Sequence, residues 1–129
     1  MSAAVAVLRA RIDLPTTSGS VPLARQLVSQ LLAAWSADAR REESVLLLSE
    51  LVTNVVRHVR PTTTFTIEVN LSKLKLRVSV VDGSPTPPML GDRGAYGGHG
   101  MWLVSTIADR WGSANRGGGK QVWFELDQQ

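Results

Sequence analysis

Glu50 and Asn54 stand four residues apart within the stretch Glu43 to Pro61, a spacing that puts a carboxylate one helical turn from a carboxamide. On a helix the two are separated by only about 40° around the axis. A carboxylate placed there can take a proton from water or a hydroxyl. A carboxamide oxygen is a neutral ligand suited to Mg²⁺, which takes few protein oxygens and fills its shell with phosphates and waters. Two further stretches carry chemistry. Asp82 closes an apolar run and is followed by Gly83; a carboxylate there can accept from an exocyclic amine, and glycine lets a flat base approach the backbone. A ring carbonyl in place of that amine would face another acceptor, and the site would reject it. Gly98-His99-Gly100 precedes an apolar helical run, and free N–H groups at the positive end of a helix suit phosphate. Each stretch also has a plainer reading: the wet face of an amphipathic helix, an aspartate bonding its own turn, and a flexible hinge.

The elements that must position these residues follow from periodicity. Leu48, Leu51, Val52, Val55, Val56 and Val59 recur at helical spacing and form the apolar stripe opposite Glu50, Asn54, Arg57 and His58. Pro61 ends that helix, and Asp38 lies ahead of it. Upstream, Leu8, Ala10, Ile12 and Leu14 alternate with Arg9, Arg11 and Asp13, which predicts a half-buried strand ended by Pro15. Ser20 is expected to cap a helix from Val21 to Trp35, with Pro22 in its first turn.

Downstream, Phe65, Ile67, Val69 and Leu71, then Leu74, Leu76, Val78 and Val80, give two alternating runs. Ser72 and Lys73 between them predict a β-hairpin. Pro85 to Gly97 has three prolines, three glycines and no periodicity; it is expected to be a long functional loop. Met101 to Ala108 predicts a third helix. The chain then runs through Asp109 to Gly112 into a strand, turns at Gly117-Gly118-Gly119, and returns with Val122, Phe124 and Leu126 on one face. Strands joined mostly by hairpins predict an α+β two-layer sandwich. Its helices lie on one face of a mixed, mainly antiparallel sheet.

Composition excludes several classes. The 129 residues fit a single domain, 1–129, large enough for its own core. Without cysteine there is no disulfide framework and no thiolate metal site, and two histidines alone argue against zinc. The opening residues reach Arg9 too early for a signal-peptide core, and no apolar run approaches a membrane span, so a cytoplasmic location is expected. The net charge of +3 is spread over scattered arginines with few aromatics, which speaks against a nucleic-acid groove and for phosphates or an acidic protein partner. The dinucleotide fingerprint, the P-loop and the Gly-x-Ser-x-Gly hydrolase elbow are all missing.

In chain order, Glu50-Leu-Val-Thr-Asn54, Val81-Asp82-Gly83 and Gly98-His-Gly100-Met-Trp-Leu-Val104 resemble the N box and the two glycine boxes of the Bergerat-fold (GHKL) ATPases. Within that superfamily the sequence is most similar to the small anti-sigma-factor serine/threonine kinases, through Ser49 to His58, Asp82 to Pro88 and Ala108-Asp-Arg-Trp-Gly112. The resemblance implies ATP and Mg²⁺ as cofactors. Asn54 would hold the Mg²⁺, Glu50 would be the general base toward a protein hydroxyl, and Asp82 with Gly83 would receive adenine. Gly98, His99, Gly100 and Met101 would approach the phosphates.

It further implies a sigma factor or an anti-sigma-factor antagonist as partner, regulation of transcription, and a homodimer. Three departures stand out. His99 replaces the arginine common between the glycines, with Arg93 as a substitute cation. Lys120-Gln121 replaces a threonine or serine near adenine, with Gln121 as its partial copy. The loop after Asp82 is short and proline-rich for an ATP lid. The alternative function is a non-catalytic ATP-binding interaction module of the same fold. A histidine-kinase fragment would need phosphoacceptor helices, and a gyrase-like machine a transducer domain, beyond what the sequence offers.

Overall fold

A computed structural model of the protein describes residues 7–58, 63–83 and 100–128. The chain runs β1 (Leu8–Pro15), α1 (Ser20–Ala34), α2 (Arg41–His58), β2 (Thr64–Leu71), β3 (Lys75–Asp82), α3 (Gly100–Ile107), β4 (Arg110–Arg116) and β5 (Gly119–Asp127). The strands form one sheet in the order β1-β2-β3-β5-β4. Every pairing is antiparallel, so the expected mainly antiparallel sheet is wholly so among the described residues.

Alternation decides which face each strand buries. Leu14, Phe65, Ile67, Val69, Leu76, Val78, Val80, Val122, Phe124 and Leu126 point to one side and are buried there against the helices. Helix α2 lies in the middle of the helical layer, packed between α1 and α3 and resting on β3 and β5. Its buried residues Leu47, Leu48, Leu51, Val52 and Val55 keep the three- and four-residue spacing that a helix needs to present one face to a sheet. Glu42 and Glu43 in its first turn and Arg57 and His58 in its last complement the helix dipole.

Two local expectations are corrected. Ser20 is not the N-cap: Gly19 precedes the helix with φ −64° and ψ −20°, no side chain caps it, and the Ser20 hydroxyl donates to the Pro15 carbonyl at 2.6 Å. The backbone is already helical at Gly19, so the serine serves instead to fasten the helix start to the end of β1. The hairpin also turns one residue later than predicted. Ser72 N–H donates to the Lys75 carbonyl and Leu71 pairs with Leu76, which leaves Leu74 at the tip, 75% exposed. At the other hairpin Gly117 and Gly118 adopt φ of +58° and +86°, the left-handed backbone that glycine accepts without strain.

The outer face of the sheet is held by charge. Glu125 accepts from Arg110 Nε at 2.6 Å and Arg77 Nη1 at 3.0 Å, with Lys75 Nζ at 3.2 Å. These contacts join β3, β5 and β4 across one carboxylate. Arg77 also lies over the Trp123 ring, 4.1 Å from its centroid. At the sheet's edge Arg40, just ahead of α2, donates to Glu43 and to Asp109 at 2.8 and 2.6 Å, and Asp109 accepts the Asp127 N–H. The start of α2 is thereby tied to the ends of α3 and β5.

Candidate functional site

The inward-facing row of β3 runs Leu76, Val78, Val80 and then Asp82, so the strand's last inward position is a carboxylate where the pattern would supply a hydrophobe. Beside it β5 does the same in reverse. Leu126, Phe124 and Val122 are followed by Lys120, directly opposite Asp82 in the register. Lys120 Nζ lies 3.0 Å from Asp82 Oδ2 and 3.3 Å from Oδ1. The side chains are 6% and 0% exposed, so the ion pair is buried. Charges this deep persist only when paired and hydrogen-bonded.

The backbone is equally tight at this end of the sheet. A Cβ on Gly119 would fall 1.9 Å from the Asp82 carbonyl oxygen and 2.9 Å from Gly83 Cα, so only glycine lets the start of β5 lie against the end of β3. Gly83 itself is exposed, with open space where a side chain would be.

Glu50 and Asn54 are half-buried on α2, the helix that packs over β3 and β5. The structure therefore sets the carboxylate–carboxamide pair and the Asp82 end of β3 on the same side of the sheet. Gly100 opens α3, which packs against α2, and Met101 is buried among the core residues. The side chain of Met101 thus faces the core, and any role for it toward phosphate falls to its backbone. Gly98, His99, Arg93 and the expected long loop and lid lie outside the described residues, as does the helix end at Val59 to Pro61.

One substitute named from sequence is corrected. Gln121 does not stand beside Asp82: it pairs in register with Val81, and its Nε2 donates to Ser79 Oγ at 3.1 Å on the outer face. Lys120 is the neighbour of Asp82. Period-two reasoning carried one step below Val122 puts Lys120 inward, and the same step beyond Val80 puts Asp82 inward; two opposite charges at the inward ends of adjacent strands were the available signal.

Among the described residues no three His, Asp or Glu side chains converge as a metal site. Mg²⁺ carried by phosphates needs only an oxygen or two from the protein, and the Asn54 carboxamide fits that requirement. A shallow depression of about 580 Å³ lies elsewhere, lined by Arg9, Arg11, Glu68 and Asn70, which the register turns to the outer face. None of the sequence-predicted site residues lines it.

Comparison with known proteins agrees with this architecture. A family model described as a histidine kinase-like ATPase domain matches residues 14–126. Among solved structures, the RsbU and RsbW domains of Rv1364c from Mycobacterium tuberculosis superpose with a TM-score of 0.72 at 18% identity. That match covers 95% of this chain and 33% of the other, so the chain spans about a third of the solved protein's length. No curated protein matches the sequence. Among the described residues no helix is long and apolar enough to cross a membrane.

Proposed function

The chain belongs to the histidine kinase-like ATPase domain family, and from that premise we propose that it binds ATP with Mg²⁺ and phosphorylates a serine or threonine of a partner protein. By its likeness to anti-sigma-factor kinases, the partner is an anti-sigma-factor antagonist, and the setting is the regulation of transcription in the bacterial cytoplasm. A sigma factor would be a second ligand of the same protein, and a homodimer its working form.

The observation that carries this reading is the buried carboxylate of Asp82 at the inward end of β3, next to an exposed glycine. A carboxylate has acceptor sites for more than one donor, so Asp82 can hold Lys120 and an adenine amine together. Asn54 would hold Mg²⁺, which when bound offsets the charge of the triphosphate. The start of α3 at Gly100 would offer backbone N–H groups to the phosphates, with Gly98 and His99 ahead of it.

Glu50, half-exposed one turn from Asn54, would accept the proton of the partner's hydroxyl. The hydroxyl oxygen then bonds to the γ-phosphorus while the bond from γ-phosphorus to the bridging oxygen breaks, and ADP leaves with that electron pair. Positioning and charge neutralisation supply most of the rate in such transfers.

Titration calorimetry with Mg²⁺–ATP, followed by transfer of labelled γ-phosphate to candidate antagonists, tests both halves. Wild type is expected to bind, Asp82→Asn to lose binding, and Glu50→Ala to bind but not transfer. A wild-type protein that binds no ATP overturns the reading. One that binds but never transfers to any antagonist favours a nucleotide-gated binding module, in which Glu50 has no proton to take.

A further inference from the structure

We infer that Asp82 and Lys120 together form an adenine reader, with Lys120 donating to ring N1 while Asp82 accepts from the exocyclic amine. The inference rests on the ATP-binding reading above and adds a specificity-determining residue to it. A buried ammonium at this place is a charge-assisted donor, stronger than a neutral hydroxyl would be.

The geometry supports it in three ways. First, Lys120 is directly opposite Asp82 in the register and points to the same, helix-covered side of the sheet. Second, the ammonium carries three hydrogens, and the two Asp82 oxygens at 3.0 and 3.3 Å are its partners among the described residues, which leaves a donor for a ligand. Third, the position is fixed from below: Gly119 lies against the Asp82 carbonyl, so the two strand ends cannot slide apart without breaking that contact.

An acceptor and a donor about 3 Å apart match a base edge with an amine beside a bare ring nitrogen, which adenine presents and guanine and hypoxanthine do not. Adenine offers an amine hydrogen on its exocyclic nitrogen and a lone pair on the adjacent N1. Guanine and hypoxanthine offer the reverse, a carbonyl oxygen and an N1–H, so they would set acceptor against Asp82 and hydrogen against the ammonium. Two mismatches in a desolvated site reject more strongly than one. The contact with Lys120 also holds the Asp82 carboxyl in place before nucleotide arrives, so it does not have to be reoriented on binding.

The probe is 1-deaza-ATP, which keeps the exocyclic amine and replaces N1 with C–H. By titration calorimetry, wild-type protein is expected to bind it roughly 10- to 100-fold more weakly than ATP, the range a charge-assisted hydrogen bond commands. Lys120→Met is expected to bind the two nucleotides within about threefold of each other, and Lys120→Arg to keep part of the discrimination.

Equal binding of ATP and 1-deaza-ATP by wild type overturns the inference while leaving ATP binding intact. So does an undiminished penalty in Lys120→Met, which would assign N1 to another group. If wild type binds neither nucleotide, the ATP-binding reading itself falls and this one with it. Should Lys120→Met fail to fold, Lys120→Arg takes its place: a reduced 1-deaza penalty there supports the inference and an unchanged penalty overturns it.

Discussion

Gly119 and Asp82 meet backbone to backbone: a methyl group on the glycine would lie 1.9 Å from the aspartate's carbonyl oxygen. The candidate site is therefore built on a close approach of two strands, and the two charges above it depend on that approach.

Gly119→Ala should force the start of β5 away from β3, destabilising the fold by about 1–3 kcal/mol or more. Because Asp82 moves with the strand end, ATP affinity should fall as well. Gly118→Ala provides the contrast. Gly118 has open space around it but φ of +86°, so the cost there is backbone strain of about 1 kcal/mol, with ATP affinity retained. Urea unfolding and calorimetry on the two variants separate these outcomes, and equal ATP affinity in both would refute the close-approach argument.

Removing one partner of the Asp82–Lys120 pair leaves a buried charge without its counter-ion. Asp82→Leu and Lys120→Met alone should each cost about 3–5 kcal/mol, whereas the double variant Asp82→Leu/Lys120→Met should recover much of that loss. Denaturant midpoints of the two singles and the double give the coupling directly. A single-variant cost below about 1 kcal/mol would mean that the pair is solvated.

Acid should loosen the sheet through Glu125. Burial by itself pushes this carboxyl up, but the hydrogen bonds from Arg110, Arg77 and Lys75 outweigh it and bring it down to about 2. The folded state therefore holds the carboxylate more acidic than the unfolded chain, where the value is about 4.5. Its stabilisation is fully present above the unfolded value and is lost as pH falls from about 4.5 toward 2. The cations are partly exposed, which limits the effect to about 1–2 kcal/mol. Glu125→Gln should flatten that limb of the stability–pH curve; an unchanged acid limb would show that other carboxylates set it.

The fastening of α2 to the end of the sheet should also be measurable. Arg40→Ala breaks its contacts with Glu43 and Asp109 at once and should cost about 1 kcal/mol. In a cycle with Asp109→Ala the coupling should be about 0.5–1 kcal/mol, and a coupling of zero would mean that the two residues act separately.

Much of this molecule was legible in the sequence because its apolar residues keep strict periods. The helical stripe from Leu48 to Val55 and the alternation along Phe65 to Val69 and Val122 to Leu126 admit one burial pattern each, and those faces are the ones buried. What escaped lay where side chains answer to neighbours distant in sequence. Ser20 has every property of a cap, yet its hydroxyl goes to Pro15 because the backbone is already helical at Gly19. Leu74 looks like a strand residue by alternation and sits at a turn because the hairpin closes between Ser72 and Lys75. Gln121 is the nearer copy of a hydroxyl by residue type, yet it faces outward and bonds Ser79. Alternation turns Lys120 inward, and the strand register then sets it directly opposite Asp82.

Strand β5 is the last element of the sheet to be synthesised, yet it lies inside the sheet, between β3 and β4. At 5–20 residues per second, roughly 2–8 s separate the appearance of Asp82 from that of Lys120 on a growing chain. During that interval β3 has an unpaired edge and Asp82 lacks its counter-charge. Until β5 pairs, the Asp82 end of β3 lacks the strand that carries Lys120. On the proposed reading, the adenine end of the site is complete only once β5 has entered between β3 and β4.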